Sequence, residues 1–138
     1  GPIPLDDNTV DIIISLAVIE HLSNPGVFLS EILRVLRPGG VLWLSTPDIN
    51  ASKFDFWNDP THVHPYNPKS IRFLLMMNGF KYIRVTPNYL SKSTIFYRES
   101  PLFFLYSRFI PFKGTSKLPV PELFKGNCQG LFAIARKE

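Results

Sequence analysis

The fold is decided by residues 10–47, which read VDIIISLAVIEHLSNPGVFLSEILRVLRPGGVLWLSTP. Residues 10–14 form a short β-branched run without polar alternation, which is typical of a parallel strand buried on both faces. Ser23-Asn24-Pro25 then gives a helix start signal, with Ser23 or Asn24 as the capping residue; apolar residues follow at helical spacing, and Pro38-Gly39-Gly40 predicts the helix end. Residues 41–45 predict a second strand. Strand, helix and strand at this spacing predict a right-handed βαβ crossover.

Beyond this unit the same alternation continues. Residues 49–67 are polar and irregular, which predicts a long loop with a functional or covering role. Asn67 and Pro68 open a second helix, which Gly79 ends. Residues 82–85 and 130–135 predict two further strands. The pattern therefore predicts a single α/β domain over residues 1–138.

Composition excludes several classes of protein. With 45% hydrophobic and 19% charged residues, the chain is too apolar and too weakly charged to be mostly disordered. No apolar run approaches the ~20 residues that a membrane-spanning helix needs. Cys128 is the single cysteine, so nothing requires an oxidising compartment. We therefore expect a globular protein of the cytoplasm.

Residues 91–125 are basic and aromatic, whereas charge is balanced in the rest of the chain. This segment holds six Lys or Arg, two Glu and eight aromatic residues. We expect an insertion between the last two strands that packs as a cap. A membrane surface or an anionic, lipid-like ligand is the alternative, which four prolines in the segment disfavour. A net charge of +4 is too small to favour nucleic acid as a partner.

The order of these motifs resembles the C-terminal part of a class I S-adenosylmethionine-dependent methyltransferase of type 11. The resemblance covers residues 3–90 and 127–136. It rests on the turn Asp6-Asp7-Asn8, the buried strand, the pair Glu20-His21, the stretch Leu36-Arg37-Pro38-Gly39-Gly40 and the strand that ends at Thr46-Pro47. It implies a Rossmann-like sheet, of which this chain supplies strands four to seven in the order four, five, seven, six. The last strand is then antiparallel, and the helices lie mainly on one face.

The glycine-rich loop that the family uses to bind its cofactor is not found in the sequence. Such a loop lets the backbone approach a cofactor closely. We therefore expect a partial methyltransferase domain, with Gly1 and Pro2 as the remnant of a protease site. We also expect weak or absent binding of S-adenosylmethionine by the chain alone, and no activity of the chain alone. Without its covering helices the sheet would expose apolar side chains, which predicts self-association or coverage of the sheet by residues 91–125.

The function that the resemblance implies is methyl transfer to a small-molecule acceptor by the full-length protein. The alternative is a non-catalytic binding or assembly module derived from half of the fold. Sequence upstream of Gly1 distinguishes the two, because a strand followed by a glycine-rich turn favours the enzyme.

Candidate site residues follow from the strand ends and from the resemblance. Ser15, Leu16 and Ala17 end the first strand, where α/β sheets place ligands, and the resemblance implies backbone contact with the cofactor there. His21 is the candidate catalytic residue, since an imidazole can take the acceptor's proton; a role in holding the loop by hydrogen bonding is the alternative. The candidate substrate-binding residues are Glu20, Trp57, His62 and Tyr66.

Asp59, His62 and His64 are the densest group of potential metal ligands in the sequence. Their spacing could place both imidazoles on one side of an extended loop. No fourth ligand is evident, and the family does not generally need a metal ion. The sequence therefore predicts no metal site.

Overall fold

A computed structural model of the chain describes residues 2–88 and 130–138. The segment 91–125 and Cys128 lie outside the described residues. The described helices and strands are β1 (Val10–Leu16), α1 (Pro25–Val35), β2 (Leu36–Pro47), α2 (Ile49–Ser52), α3 (Pro68–Met77), β3 (Lys81–Asn88) and β4 (Gly130–Arg136), with short 3₁₀ helices at Ile19–His21 and Lys53–Asn58. Within these ranges, no helix has the length and apolar character that crossing a bilayer requires.

The four strands form one mixed sheet in the order β1-β2-β4-β3. β1 pairs in parallel with β2, and β4 runs antiparallel to both of its neighbours. The expected α/β class, strand order and antiparallel last strand are confirmed. Their assignment as strands four to seven of a larger sheet stays a prediction.

Helices α1 and α3 supply the core on one face of the sheet. Both begin as predicted, because the side chains of Asn24 and Asn67 accept hydrogen bonds from backbone N–H groups of the first turn. The buried core consists of Leu29 and Ile32 from α1, Ile71 and Leu75 from α3, and Leu42, Leu44, Leu131, Ala133 and Ala135 from the sheet. Each buried Leu or Ile contributes about 1.5–3 kcal/mol of hydrophobic stabilisation.

The opposite side of the sheet carries apolar side chains that stay exposed, which we call the open sheet face. Its members are Ile12, Ile14, Leu16, Trp43 and Ile134, which are 41–62% exposed. The prediction that the first strand is buried on both faces is therefore wrong for the described residues. The reason is geometric: successive strand residues point to opposite faces, and the core under α1 and α3 takes only one of the two sets.

The boundary between α1 and β2 also differs from the prediction. The helix ends at Val35, and residues 38–40 lie within β2 as an irregularity, since Val10 pairs with Leu36 and Ile12 with Val41. Gly39 adopts a φ of 78°, which only glycine reaches without strain. Arg37 therefore lies in β2, and its guanidinium binds the carboxylate of Asp11 on the neighbouring strand β1 at 2.9 Å.

Residues 49–67 are more regular than predicted. The side chain of Asp48 accepts a hydrogen bond from the Asn50 N–H at 3.0 Å and so caps α2. The 3₁₀ helix that follows buries Phe56. Tyr66 then returns to the sheet side, where its carbonyl accepts a hydrogen bond from the Ile49 N–H at 2.8 Å. The segment is therefore anchored at both ends and in the middle.

Candidate active site at the carboxyl ends of β1 and β2

The end of β1 combines two exposed residues with a buried hydroxyl group that has no hydrogen-bond partner among the described residues. Leu16 is 57% exposed, and Ala17 is exposed beside it. Ala17 has a φ of 51°, in the left-handed region that residues other than glycine seldom adopt, while its N–H donates to the Ser45 carbonyl at 3.0 Å. The buried Ser15 Oγ has no hydrogen-bond partner among the described residues. Backbone in an uncommon conformation and an unpaired buried polar atom are features that cluster at ligand sites.

Glu20 follows on the 3₁₀ helix and is fully buried. Its Oε2 accepts a hydrogen bond from Thr46 Oγ1, at the end of β2, at 2.9 Å. Its Oε1 is buried and has no hydrogen-bond partner among the residues that the structure describes. An unpaired buried carboxylate oxygen is unfavourable for folding. The presence of Glu20 at this position therefore points to a role other than stability.

The loop after the second 3₁₀ helix brings His62 to this carboxylate. The Glu20 carbonyl accepts hydrogen bonds from the Val63 and His64 N–H groups at 2.9 and 3.1 Å, which fixes the loop beside it. The centroid of the His62 ring then lies 4.7 Å from that of the His21 ring. The His62 ring also stacks on Phe56, with the centroids 4.4 Å apart. We call Glu20, His21 and His62 the Glu-His cluster.

The hydrogen bonds of the two imidazoles assign their tautomers. His62 Nδ1 lies 2.6 Å from the Phe56 carbonyl, which can only accept, so Nδ1 carries the hydrogen. Thr61 Oγ1 donates its one hydrogen to Asp59 Oδ1 at 2.6 Å, so it accepts from His21 Nδ1 at 2.8 Å. In the neutral form of each histidine, Nε2 therefore carries a free lone pair.

Electrostatics hold two neighbouring groups in defined protonation states. Hydrogen bonds from the Thr61 hydroxyl and N–H keep the pKa of Asp59 below its ordinary value, so this carboxylate is ionised at neutral pH. Burial, followed by the negative charge of Glu20, raises the pKa of Tyr66 to about 12. The Tyr66 phenol is therefore a hydrogen-bond donor at neutral pH and not a base.

The structure does not bring all the predicted site residues together. The negative charge of Glu20 acts on Tyr66, whose pKa it helps to raise. Trp57, by contrast, is 55% exposed and packs edge-on against Phe56, with the ring centroids 4.9 Å apart. His64 Nε2 lies 3.5 Å from the Ser23 carbonyl, so Asp59, His62 and His64 do not converge as one ligand set.

Sequence reasoning missed Thr46 and Thr61 as residues that position the site. Thr46 ends β2 beside the end of β1, so strand adjacency alone could have indicated it. Thr61 follows the turn at Asp59, but nothing in the sequence indicates that it reaches His21, 40 positions away.

The fold is the α/β fold of S-adenosylmethionine-dependent methyltransferases, and the resemblance seen in the sequence is confirmed by comparison with known proteins. The family described as “Methyltransferase domain” matches residues 2–44. A structure titled as a SAM-dependent methyltransferase from Archaeoglobus fulgidus superposes with a TM-score of 0.65 at 18% identity, over 96% of this chain and 62% of that chain.

Two mycobacterial proteins are similar to this chain in sequence. A protein of Mycolicibacterium smegmatis named “Probable S-adenosylmethionine-dependent methyltransferase” is 41% identical over 83 residues, which are 57% of this chain and 32% of the relative. A protein of Mycobacterium tuberculosis with a name of the same form is 38% identical over 82 residues, 56% of this chain and 29% of that protein. The chain thus spans about a third of the length of these relatives.

S-adenosylmethionine is the cofactor that this family implies, and the end of β1 fits part of its site. The exposed residues Leu16 and Ala17 and the unpaired Ser15 Oγ lie at an edge where a ligand could contact them. Three residues alone are too few to enclose a molecule of this size.

Proposed function

We propose that the full-length protein transfers a methyl group from S-adenosylmethionine to a small-molecule acceptor, and that this chain is the C-terminal part of its catalytic domain. One observation carries the proposal: the end of β1 and the Glu-His cluster lie side by side, with Ser15 and Glu20 both in the segment that matches the methyltransferase family. Ligands of open α/β sheets bind at the carboxyl ends of the strands. The names of the mycobacterial relatives support the same reaction.

Ser15, Leu16 and Ala17 form the cofactor side of the proposed site. Bound S-adenosylmethionine supplies a methyl group already activated on a sulfonium, so the protein has mainly to align this group with the acceptor. Because the three residues cover one side only, we expect this chain alone to bind the cofactor weakly or not at all.

The Glu-His cluster forms the acceptor side. His21 Nε2 carries a free lone pair in the neutral form and can take the acceptor's proton, a role worth about 10²–10⁴-fold in rate. Glu20 Oε1, 3.9 Å from that nitrogen, stabilises the imidazolium that results. His62 belongs to the cluster, Tyr66 lies beside it, and Trp57 is at its rim, where it can contact an acceptor. We place the reaction in the cytoplasm.

The test is methyl transfer by the full-length protein from S-adenosylmethionine labelled in its methyl group, with a panel of phenols and amines as acceptors. We expect His21→Ala to lower kcat by about 10²–10⁴-fold while calorimetry shows unchanged affinity for S-adenosylhomocysteine. His64→Ala is the matched control and should keep kcat.

A full-length protein that binds no S-adenosylhomocysteine would contradict the proposal and favour the non-catalytic module. Equal kcat for the two histidine variants would contradict the role of His21 alone.

A further inference from the structure

We propose that Glu20 Oε1, His21 Nε2 and His62 Nε2 form a binding site for a divalent transition-metal ion of the Zn²⁺ type. One potential ligand atom from each residue lies within 4.8 Å of the other two, and His21 Nε2 is 3.9 Å from Glu20 Oε1. The carboxylate oxygen among them is buried and has no hydrogen-bond partner in the described part of the chain. A bound cation would compensate this oxygen, to which no described side chain donates a hydrogen bond.

The opposite end of each candidate ligand is already held by a hydrogen bond. Thr46 Oγ1 donates to Glu20 Oε2, which leaves Oε1 free. His62 Nδ1 donates to the Phe56 carbonyl, and His21 Nδ1 donates to Thr61 Oγ1. Metal-binding histidines characteristically donate their second ring N–H to such an acceptor, which orients the ring and makes the other nitrogen a better ligand.

Asp59 extends this arrangement behind His21. It accepts the Thr61 hydroxyl hydrogen and, by the lowered pKa noted above, is ionised at neutral pH. Asp59 accepts the hydrogen of the Thr61 hydroxyl, and this hydroxyl accepts the hydrogen of His21 Nδ1. The carboxylate thereby increases the electron density on His21 Nε2, the proposed ligand atom. The sequence grouped Asp59 with the potential metal ligands but predicted no metal site; in the structure its Oδ1 lies behind His21, and its Oδ2 is 3.8 Å from His62 Nε2.

The donor set selects the class of ion. Two imidazoles and one carboxylate suit Zn²⁺ and its first-row neighbours, whereas Mg²⁺ and Ca²⁺ prefer all-oxygen sites. Bonds of about 2.1 Å place ligand atoms about 3.4 Å apart in a tetrahedral site, so binding has to shorten the distances between ligand atoms by up to about 1.4 Å. The His21 side chain, 32% exposed, has room for this movement.

This inference goes beyond the proposed methyl transfer and does not depend on it. The ion and the acceptor's proton would occupy the same nitrogen of His21, so the two exclude each other at that atom.

The experiment is a calorimetric titration of Zn²⁺ into the 138-residue chain after removal of metals with a chelator. A parallel titration with Co²⁺ reports the coordination sphere through its visible absorption. We expect one ion per chain. Glu20→Gln and His62→Ala should each weaken binding at least about 100-fold, whereas Thr61→Val should weaken it about 10–100-fold by freeing the His21 ring.

His64→Ala is the matched control, because it removes an imidazole two residues from His62 that lies outside the cluster, and it should leave the affinity unchanged. Glu20→Gln keeps the side-chain size and removes a buried charge, so the metal-free variant should melt no lower than wild type. This separates loss of a ligand from loss of the fold. Absence of stoichiometric binding, or equal affinity in Glu20→Gln, His62→Ala and His64→Ala, would overturn the proposal.

Discussion

Glu20 connects more of the candidate site than any other single residue described above. Its carboxylate accepts from Thr46, its carbonyl holds the loop through the Val63 and His64 N–H groups, and its charge raises the pKa of Tyr66. The sequence indicated Glu20, His21 and His62 individually, through the Glu-His pair and the polar loop. It could not indicate that they meet, because the contacts that join them span about 40 residues of chain.

A surface carboxylate far from the site gives a pH prediction at this scale. The Glu31 carboxylate accepts hydrogen bonds from the Arg34 side chain and from the Ile3 N–H. These bonds, the one from Arg34 most strongly, lower the pKa of Glu31 below its ordinary value of 4.5. A carboxyl group with a lowered pKa stabilises the fold above its unfolded-state pKa, and that contribution is lost as the pH falls through the folded-state value.

We therefore expect Glu31→Gln to lower the Tm at about pH 6 and to have a smaller effect at about pH 3, where the wild-type carboxyl is increasingly protonated. Thermal melts of both proteins across this range measure the difference. A difference in Tm that stays constant with pH would show that the ion pair does not contribute in this way.

At the scale of elements, local signals predicted where α1 and α3 begin and that α3 ends before Gly79, whereas non-local contacts decided where α1 ends. Asn24 and Asn67 cap their helices through neighbouring N–H groups, so a few residues suffice to identify them. The end of α1 was mispredicted because Leu36 already pairs with Val10 of β1, and Arg37 reaches Asp11 on that strand. Pairing between strands is not visible in a local window, whereas the Pro-Gly-Gly helix stop is.

The irregular part of β2 gives a prediction at Gly40. A Cβ at this position would lie 2.8 Å from the Arg37 carbonyl oxygen and 3.2 Å from the Asp11 carbonyl oxygen, so the backbone of both strands would have to move. We expect Gly40→Ala to destabilise the chain by about 1–3 kcal/mol in urea denaturation.

Gly26→Ala is the matched control for this substitution. A Cβ there meets only side-chain atoms at 3.5 Å, in the first turn of α1, so alanine should be neutral or stabilise by up to about 1 kcal/mol. Similar losses for both variants would indicate that the close backbone approach at Gly40 is not what requires glycine.

At the scale of the whole molecule, the described residues cover one face of the sheet and leave the other open. The sequence predicted this asymmetry from the resemblance, since the helices found here belong to one side of a methyltransferase sheet. β1 is also an edge strand of the described sheet. The open sheet face and this edge are the features that favour association with another polypeptide.

We propose that a second copy of the chain covers the open sheet face when the chain is studied alone. Light scattering should show a mass above 15.8 kDa that falls towards the monomer value on dilution. Ile14→Lys, on the open sheet face, should weaken association, whereas Val27→Lys, at an equally exposed apolar position on α1, should not. A chain that stays monomeric at high concentration would contradict this proposal.

The central claim is that the end of β1 and the Glu-His cluster belong to a methyltransferase site that the chain supplies only in part. Titration of S-adenosylhomocysteine into the isotope-labelled full-length protein and into the 138-residue chain, followed by amide NMR shifts, tests it most directly. We predict saturable shifts at residues 15–21 in the full-length protein and weak or absent binding in the chain. A full-length protein whose residues 15–21 do not respond would contradict the account.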